Sequence, residues 1–274
     1  MRINAASSLP VRPATAAGRF YPADAATLRA QVSDFLEQAV RPLPSGTVRA
    51  VIVPHAGYIY SGPIAGYGYR ALQQGAAHAR TIFLLGPAHF VPLSGMAAGP
   101  FSALRTPLGD APVALEALGD LRQAGKGVVM DATPHLPEHS LEVQVPFLQV
   151  VMGDRLRLVP LLCGRSDPRA IAAFLANRVA DDPEAVLVIS SDLSHYHPYE
   201  RARQLDRALL DAIVAGDSEA AAAGEACGLT PILAVMEVAR QLEWRPHLLD
   251  YRNSGDTAGD RARVVGYAAL AYLS

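Results

Sequence analysis

Short apolar runs of strand length alternate along this chain with longer segments of helical period, and few folds accommodate that order. The strand-length runs are Ala50–Val53, Thr81–Leu85, Leu156–Leu162 and Ala185–Ile189. They lack the two-residue alternation of a half-exposed strand, so both faces are expected to be covered by helices. Leu248–Arg252 and Val264–Leu273 come later. Their connection, Asn253–Arg263, reads as too short for a helix, which predicts antiparallel pairing at one side of the sheet. The expected fold class is α/β, with a mixed, mainly parallel sheet.

Helix signals fill the intervals. Asp24 precedes Leu28, Val32, Phe35 and Leu36 on one face, which predicts a capped helix to about Ala39. Asp167-Pro168 and Thr230-Pro231 each place a capping side chain before a proline, the usual opening of a helix. Pro198–Ala215 reads as a longer amphipathic helix through Leu205, Leu209, Leu210 and Ile213. No repeat or low-complexity linker divides the 274 residues, so one domain over 1–274 is expected.

Composition narrows the function. Half of the residues are apolar and 18% are charged, as in packed globular proteins and unlike disordered chains. A formal net charge of -2 offers no electrostatic footprint for nucleic acid or an anionic membrane surface. No apolar run approaches the ~18 residues of a membrane span. Two cysteines and no secretory leader after Met1 point to a reducing cytoplasm.

The chemistry-bearing residues sit where the strands end. Pro54-His55-Ala56-Gly57-Tyr58, Gly86-Pro87-Ala88-His89 and Ser190-Ser191-Asp192-Leu193-Ser194-His195 each follow an apolar run. Parallel strands deliver their following loops to one edge, where open α/β sheets bind ligands. One histidine after a strand is ordinarily a loop or packing residue; three in equivalent places point to a metal, because neutral imidazole is a common ligand. Cys227 stands just ahead of the helix expected from Thr230, where the positive helix end would favour a thiolate. It reads either as a third ligand or as a small buried hydrophobe; Cys163 fits the second description better.

Two further readings stay open on the residues alone. In Pro134-His135-Leu136-Pro137-Glu138-His139-Ser140-Leu141-Glu142, Ser140 is a candidate cap for a helix carrying Val143, Phe147 and Leu148, with Pro146 arguing for a kink or short first turn. His139 and Glu142 point either to the histidine edge or into a solvated loop. Ser190, Ser191, Asp192 and His195 also contain the residue types of a hydrolytic triad, although no GxSxG elbow surrounds either serine.

Taken together, Gly18-Arg19-Phe20-Tyr21-Pro22, the His55 and His89 segments, Tyr60-Ser61-Gly62, Glu138-His139-Ser140-Leu141-Glu142, the Ser190–His195 segment, Cys227-Gly228 and Val264-Val265-Gly266-Tyr267 resemble the Memo family, whose bacterial and archaeal branch is called AmmeMemoRadiSam system protein B. The resemblance implies a three-layer α/β/α sandwich similar to the class III extradiol ring-cleaving dioxygenases. It implies His55, His89 and Cys227 as metal ligands, with Asp192 and His195 beside the metal as the catalytic pair, and Tyr58 and His139 lining the pocket. A thiolate in place of the dioxygenase carboxylate shifts preference towards copper without excluding iron or zinc, and Glu225 is an alternative carboxylate ligand. The expected function is a metal-dependent oxidoreductase acting on a small molecule, linked functionally to AMMECR-type and radical-SAM proteins. The alternative is a non-catalytic module that binds a metal or a peptide end.

Overall fold

A computed structural model describes residues 9–124 and 127–274. Four parallel strands form the centre of the main sheet, in the spatial order Val48–Val53, Ala185–Ser190, Thr81–Pro87 and Arg157–Cys163. Their registers pair Val53 with Ser190 and Leu85 with Ile189, so these strands end nearly level. Every residue of Ala185–Ser190 is buried, which explains its unbroken apolar run. Fully burying one Val, Leu or Ile here is worth about 1.5–3 kcal/mol.

The margins of the sheet are antiparallel. Val264–Leu273 pairs with Val48–Val53 on one side and with Arg245–Asn253, while Met96–Ala98 runs against Arg157–Cys163 at the other. His195–His197 pairs antiparallel with the start of Val264–Leu273. Val128–Met130 completes the order beside Met96–Ala98. A separate three-stranded sheet joins Val11–Arg12, Ala103–Thr106 and Gly109–Pro112. Helices cover both sides of the mixed main sheet, the sandwich expected from the sequence.

Most helix signals hold, and the departures have local causes. Asp24 accepts the N–H of Thr27 and opens Ala25–Gln38; Asp167 accepts that of Arg169 and opens Pro168–Asp181. The Thr230 cap is corrected: Leu229–Leu242 begins two residues earlier, on Gly228, which puts Thr230 and Pro231 in the first turn. Ser140 does not cap either, because its hydroxyl donates to the Pro87 carbonyl; a 3-10 turn at Glu142–Gln144 leads into Val145–Met152. Asn253–Arg263 does hold a helical turn, Ser254–Thr257, closed by a reciprocal capping box between Asn253 and Asp256. Tyr58–Gly75 is a helix that propensity conceals, since it contains Pro63, Gly62, Gly66 and Gly68. Tertiary contact demands those small residues: a Cβ at Gly62 would lie 2.2 Å from the Phe35 ring.

Candidate metal centre

Three adjacent parallel strands deliver the site. His55 follows Val53, Asp192 follows Ser190, and His89 follows Pro87. Cys227 comes from the loop before Leu229–Leu242. Its segment docks on the Ser190–Asp192 turn: Cys227 N–H donates to the Asp192 carbonyl at 3.2 Å and Gly228 N–H to Ser191 Oγ at 2.9 Å. Glycine is required there, because a Cβ at 228 would meet Ser191 Cβ at 2.7 Å and the Ser190 carbonyl at 2.8 Å.

The structure brings one ligand atom each from His55, His89 and Cys227 within 4.8 Å of one another, a possible metal-binding triad. Cys227 Sγ lies 3.2 Å from His55 Nε2. The tautomers follow from the hydrogen bonds behind the rings. Ser190 donates its single proton to the Ser140 carbonyl at 2.6 Å and accepts from Gln144 Nε2. His55 Nδ1, 2.8 Å from Ser190 Oγ, must therefore be the donor, which leaves the Nε2 lone pair facing Cys227. His89 Nδ1 lies 2.9 Å from Glu138 Oε1, and the same carboxylate accepts the N–H groups of His89, His139 and Ser140. Burial opposes ionisation of Glu138, but the bonds from His89 prevail and lower its pKa to about 2. An ionised Glu138 makes His89 Nδ1 a donor and frees Nε2, the back-bonding usual behind metal-bound histidines.

Electrostatics specify what the triad is without a cation. Burial, followed by the charge of neighbouring His89, lowers His55 to about 3. Burial and then the Asp192 carboxylate push the Cys227 thiol up to about 12. The helix end therefore does not produce a thiolate, as its position suggested; desolvation and Asp192 outweigh it. A neutral thiol faces a neutral imidazole, and a bound cation would displace the thiol proton and hold the thiolate. Two freed imidazole nitrogens and a displaceable thiol proton fit a transition-metal ion.

The other expected residues fall into three places. Asp192 is buried and accepts the N–H of His55 at 2.7 Å, so it holds the ligand loop. His195 is half-buried, and its backbone N–H donates to Glu225 Oε1. Glu225 also accepts from His197 Nε2 at 2.9 Å and is absent from the triad. The His139 ring is edge-on to His55 at 5.7 Å and stacked on His89 at 5.0 Å. Tyr58 lies in the core, 2% exposed, with its hydroxyl donated to the Val143 carbonyl. Glu142 takes neither position open to it from the sequence: it is buried and accepts from Arg12, Thr15, Ala16 and Tyr21. Arg12 also donates to the carbonyls of His135 and Glu138, pinning the loop that holds His89. Cys163 is buried at a strand end and, like Cys227, is a free thiol. Ser190 and Ser191 are fully buried with their hydroxyls committed, which removes them as hydrolytic nucleophiles.

Comparison with known proteins gives the family and the fold. The Memo-like protein family model matches residues 12–271. The chain belongs to the Memo family. A MEMO1 family protein of Aeropyrum pernix is 40% identical, over 95% of this chain and 99% of the relative. One from Ignicoccus hospitalis is 36% identical, over 96% and 98%. An uncharacterized protein of Escherichia coli K12 shares the fold, with a TM-score of 0.51 at 14% identity, covering 81% of this chain and 99% of that one. In this Memo-family protein Ser190, Gln144, Glu138 and Arg12 are the supports that reading the sequence missed. The bonds that give them these roles span 46 to 135 positions, beyond any local motif.

Proposed function

We propose that this Memo-family protein is a metal-dependent oxidoreductase acting on a small molecule, with iron or copper held by His55, His89 and Cys227. Zinc fits the same donors but supplies no redox change. The observation that carries the reading is the 3.2 Å approach of Cys227 Sγ to a His55 nitrogen whose partner atom is already bonded. When bound, the ion supplies Lewis acidity and one-electron exchange. His195 exchanges a proton with the substrate, since it lies three residues beyond Asp192 on the same strand-end segment and is not part of the triad. Asp192 keeps the His55 loop in place through the His55 N–H. No helix among the described residues is long and apolar enough to cross a membrane; a reducing cytoplasm suits a centre built on a free thiol.

Anaerobic purification, elemental analysis and then oxygen or peroxide consumption with a reductant test the proposal. Stoichiometric iron or copper with turnover supports it; a stoichiometric metal with no turnover transfers the site to a binding role. One observation favours that second reading. Ile59, Tyr60, Phe90, Leu136 and Tyr196 are large, apolar and exposed, and each lies within five residues of His55, His89, His139 or His195. Such a rim also suits a docked partner.

A further inference from the structure

A cavity of about 330 Å³ shares Cys227 with the metal triad and extends away from it, walled by Pro87, Ala88, Pro92, Leu93 and Pro231. Its size lies at the lower end of small-ligand sites, about 300–1,000 Å³. Arg165 is the single charged residue in its lining. The Arg165 side chain is exposed, and its guanidinium makes no hydrogen bond or ion pair with any of the described residues.

The backbone beneath that guanidinium is held firmly. Arg165 N–H donates to the Leu93 carbonyl, Gly95 N–H to the Arg165 carbonyl, and Gly164 N–H to the Gly95 carbonyl, each at 2.9 Å. A Cβ at Gly164 would come within 2.0 Å of the Leu93 oxygen, so the two segments could not lie this close with another residue there. The result is a fixed, largely apolar slot with the candidate metal ligand Cys227 in one wall and, on its lining, a guanidinium that no described residue neutralises.

The geometry points to a substrate class: a small organic acid, whose apolar body occupies the slot and whose carboxylate pairs with Arg165. A guanidinium offers a carboxylate two parallel donors, and an uncharged isostere forfeits the charge-assisted pair. This inference rests on the proposed metal-site function for its biological use, but the acid preference itself requires no metal.

Phenylacetate and its neutral isostere phenylacetamide are suitable probes, titrated calorimetrically into chelator-treated and metal-loaded protein. In wild type, both forms should bind the acid about tenfold more tightly than the amide. Arg165→Gln should abolish the difference, Arg165→Lys should retain part of it, and unchanged thermal midpoints will show that these exposed substitutions leave the fold intact. Cys227→Ser should keep the acid preference even where it loses metal, which separates failure of the metal reading from failure of this one. Equal affinities for acid and amide, no binding of either, or a preference that survives Arg165→Gln each overturns the proposal. A preference confined to the metal-loaded protein does so too, because it places the carboxylate on the ion.

Discussion

His55 places one ring nitrogen 3.2 Å from the sulfur of Cys227, 172 residues further along, and commits the other to Ser190 Oγ at 2.8 Å. Each half of this arrangement has a consequence that can be measured. The front half concerns which atoms hold a metal; the back half concerns what orients them.

Cys227→Ser should remove most of the bound metal, whereas Cys163→Ser should leave it unchanged. Only Cys227 belongs to the triad, and Cys163 is a buried thiol that burial alone pushes up to about 12. Elemental analysis of the two variants after anaerobic purification checks this. Equal metal content in both would remove the cysteine from the ligand set.

Ser190→Ala should weaken metal binding by about 10 to 100-fold, because His55 Nδ1 loses its acceptor and the ring its fixed orientation. Competition with a chelator of known affinity reads the change. Glu138→Gln should act in the same direction through His89, and an unaltered affinity in both variants would refute the back-bonding argument.

His195→Ala should retain stoichiometric metal and lose about 10² to 10⁴-fold in redox turnover, the usual contribution of a general acid or base. Asp192→Ala should differ by lowering metal affinity as well, since Asp192 holds the His55 N–H. Oxygen consumption measured alongside metal content separates the two. Wild-type turnover in fully metallated His195→Ala would exclude the proton-transfer role.

Acid should loosen the N-terminal strap through Glu142. Burial raises its pKa, but Arg12 and the donors around it prevail and hold it below the ordinary 4.5. A depressed carboxyl contributes its stability in full above the unfolded value and loses it as pH falls through the folded value. Glu142→Gln leaves Arg12 buried without a counter-charge and should cost about 3–5 kcal/mol at pH 7. The gap from wild type should narrow on acidification, because wild type alone loses the pair; urea midpoints at pH 7 and pH 3 measure it.

The sequence alone determined the α/β class, the buried central strands and the edge at which His55, His89 and Asp192 gather. Those features are local: an unbroken apolar run reports burial on both faces, and parallel strands send their following loops the same way. The family resemblance singled out Cys227, which its place in the sequence left as either a ligand or a buried hydrophobe. Tertiary structure decided the rest. Propensity opposes the Tyr58–Gly75 helix, which forms because Gly62 and its neighbours let it pack against Phe35. The protonation of Cys227 turns on burial and on Asp192, which outweigh the helix end visible in sequence. Ser190, Glu138 and Arg12 acquire their roles from single hydrogen bonds across the fold, and a hydrogen bond depends on where two atoms meet, which no residue spacing records.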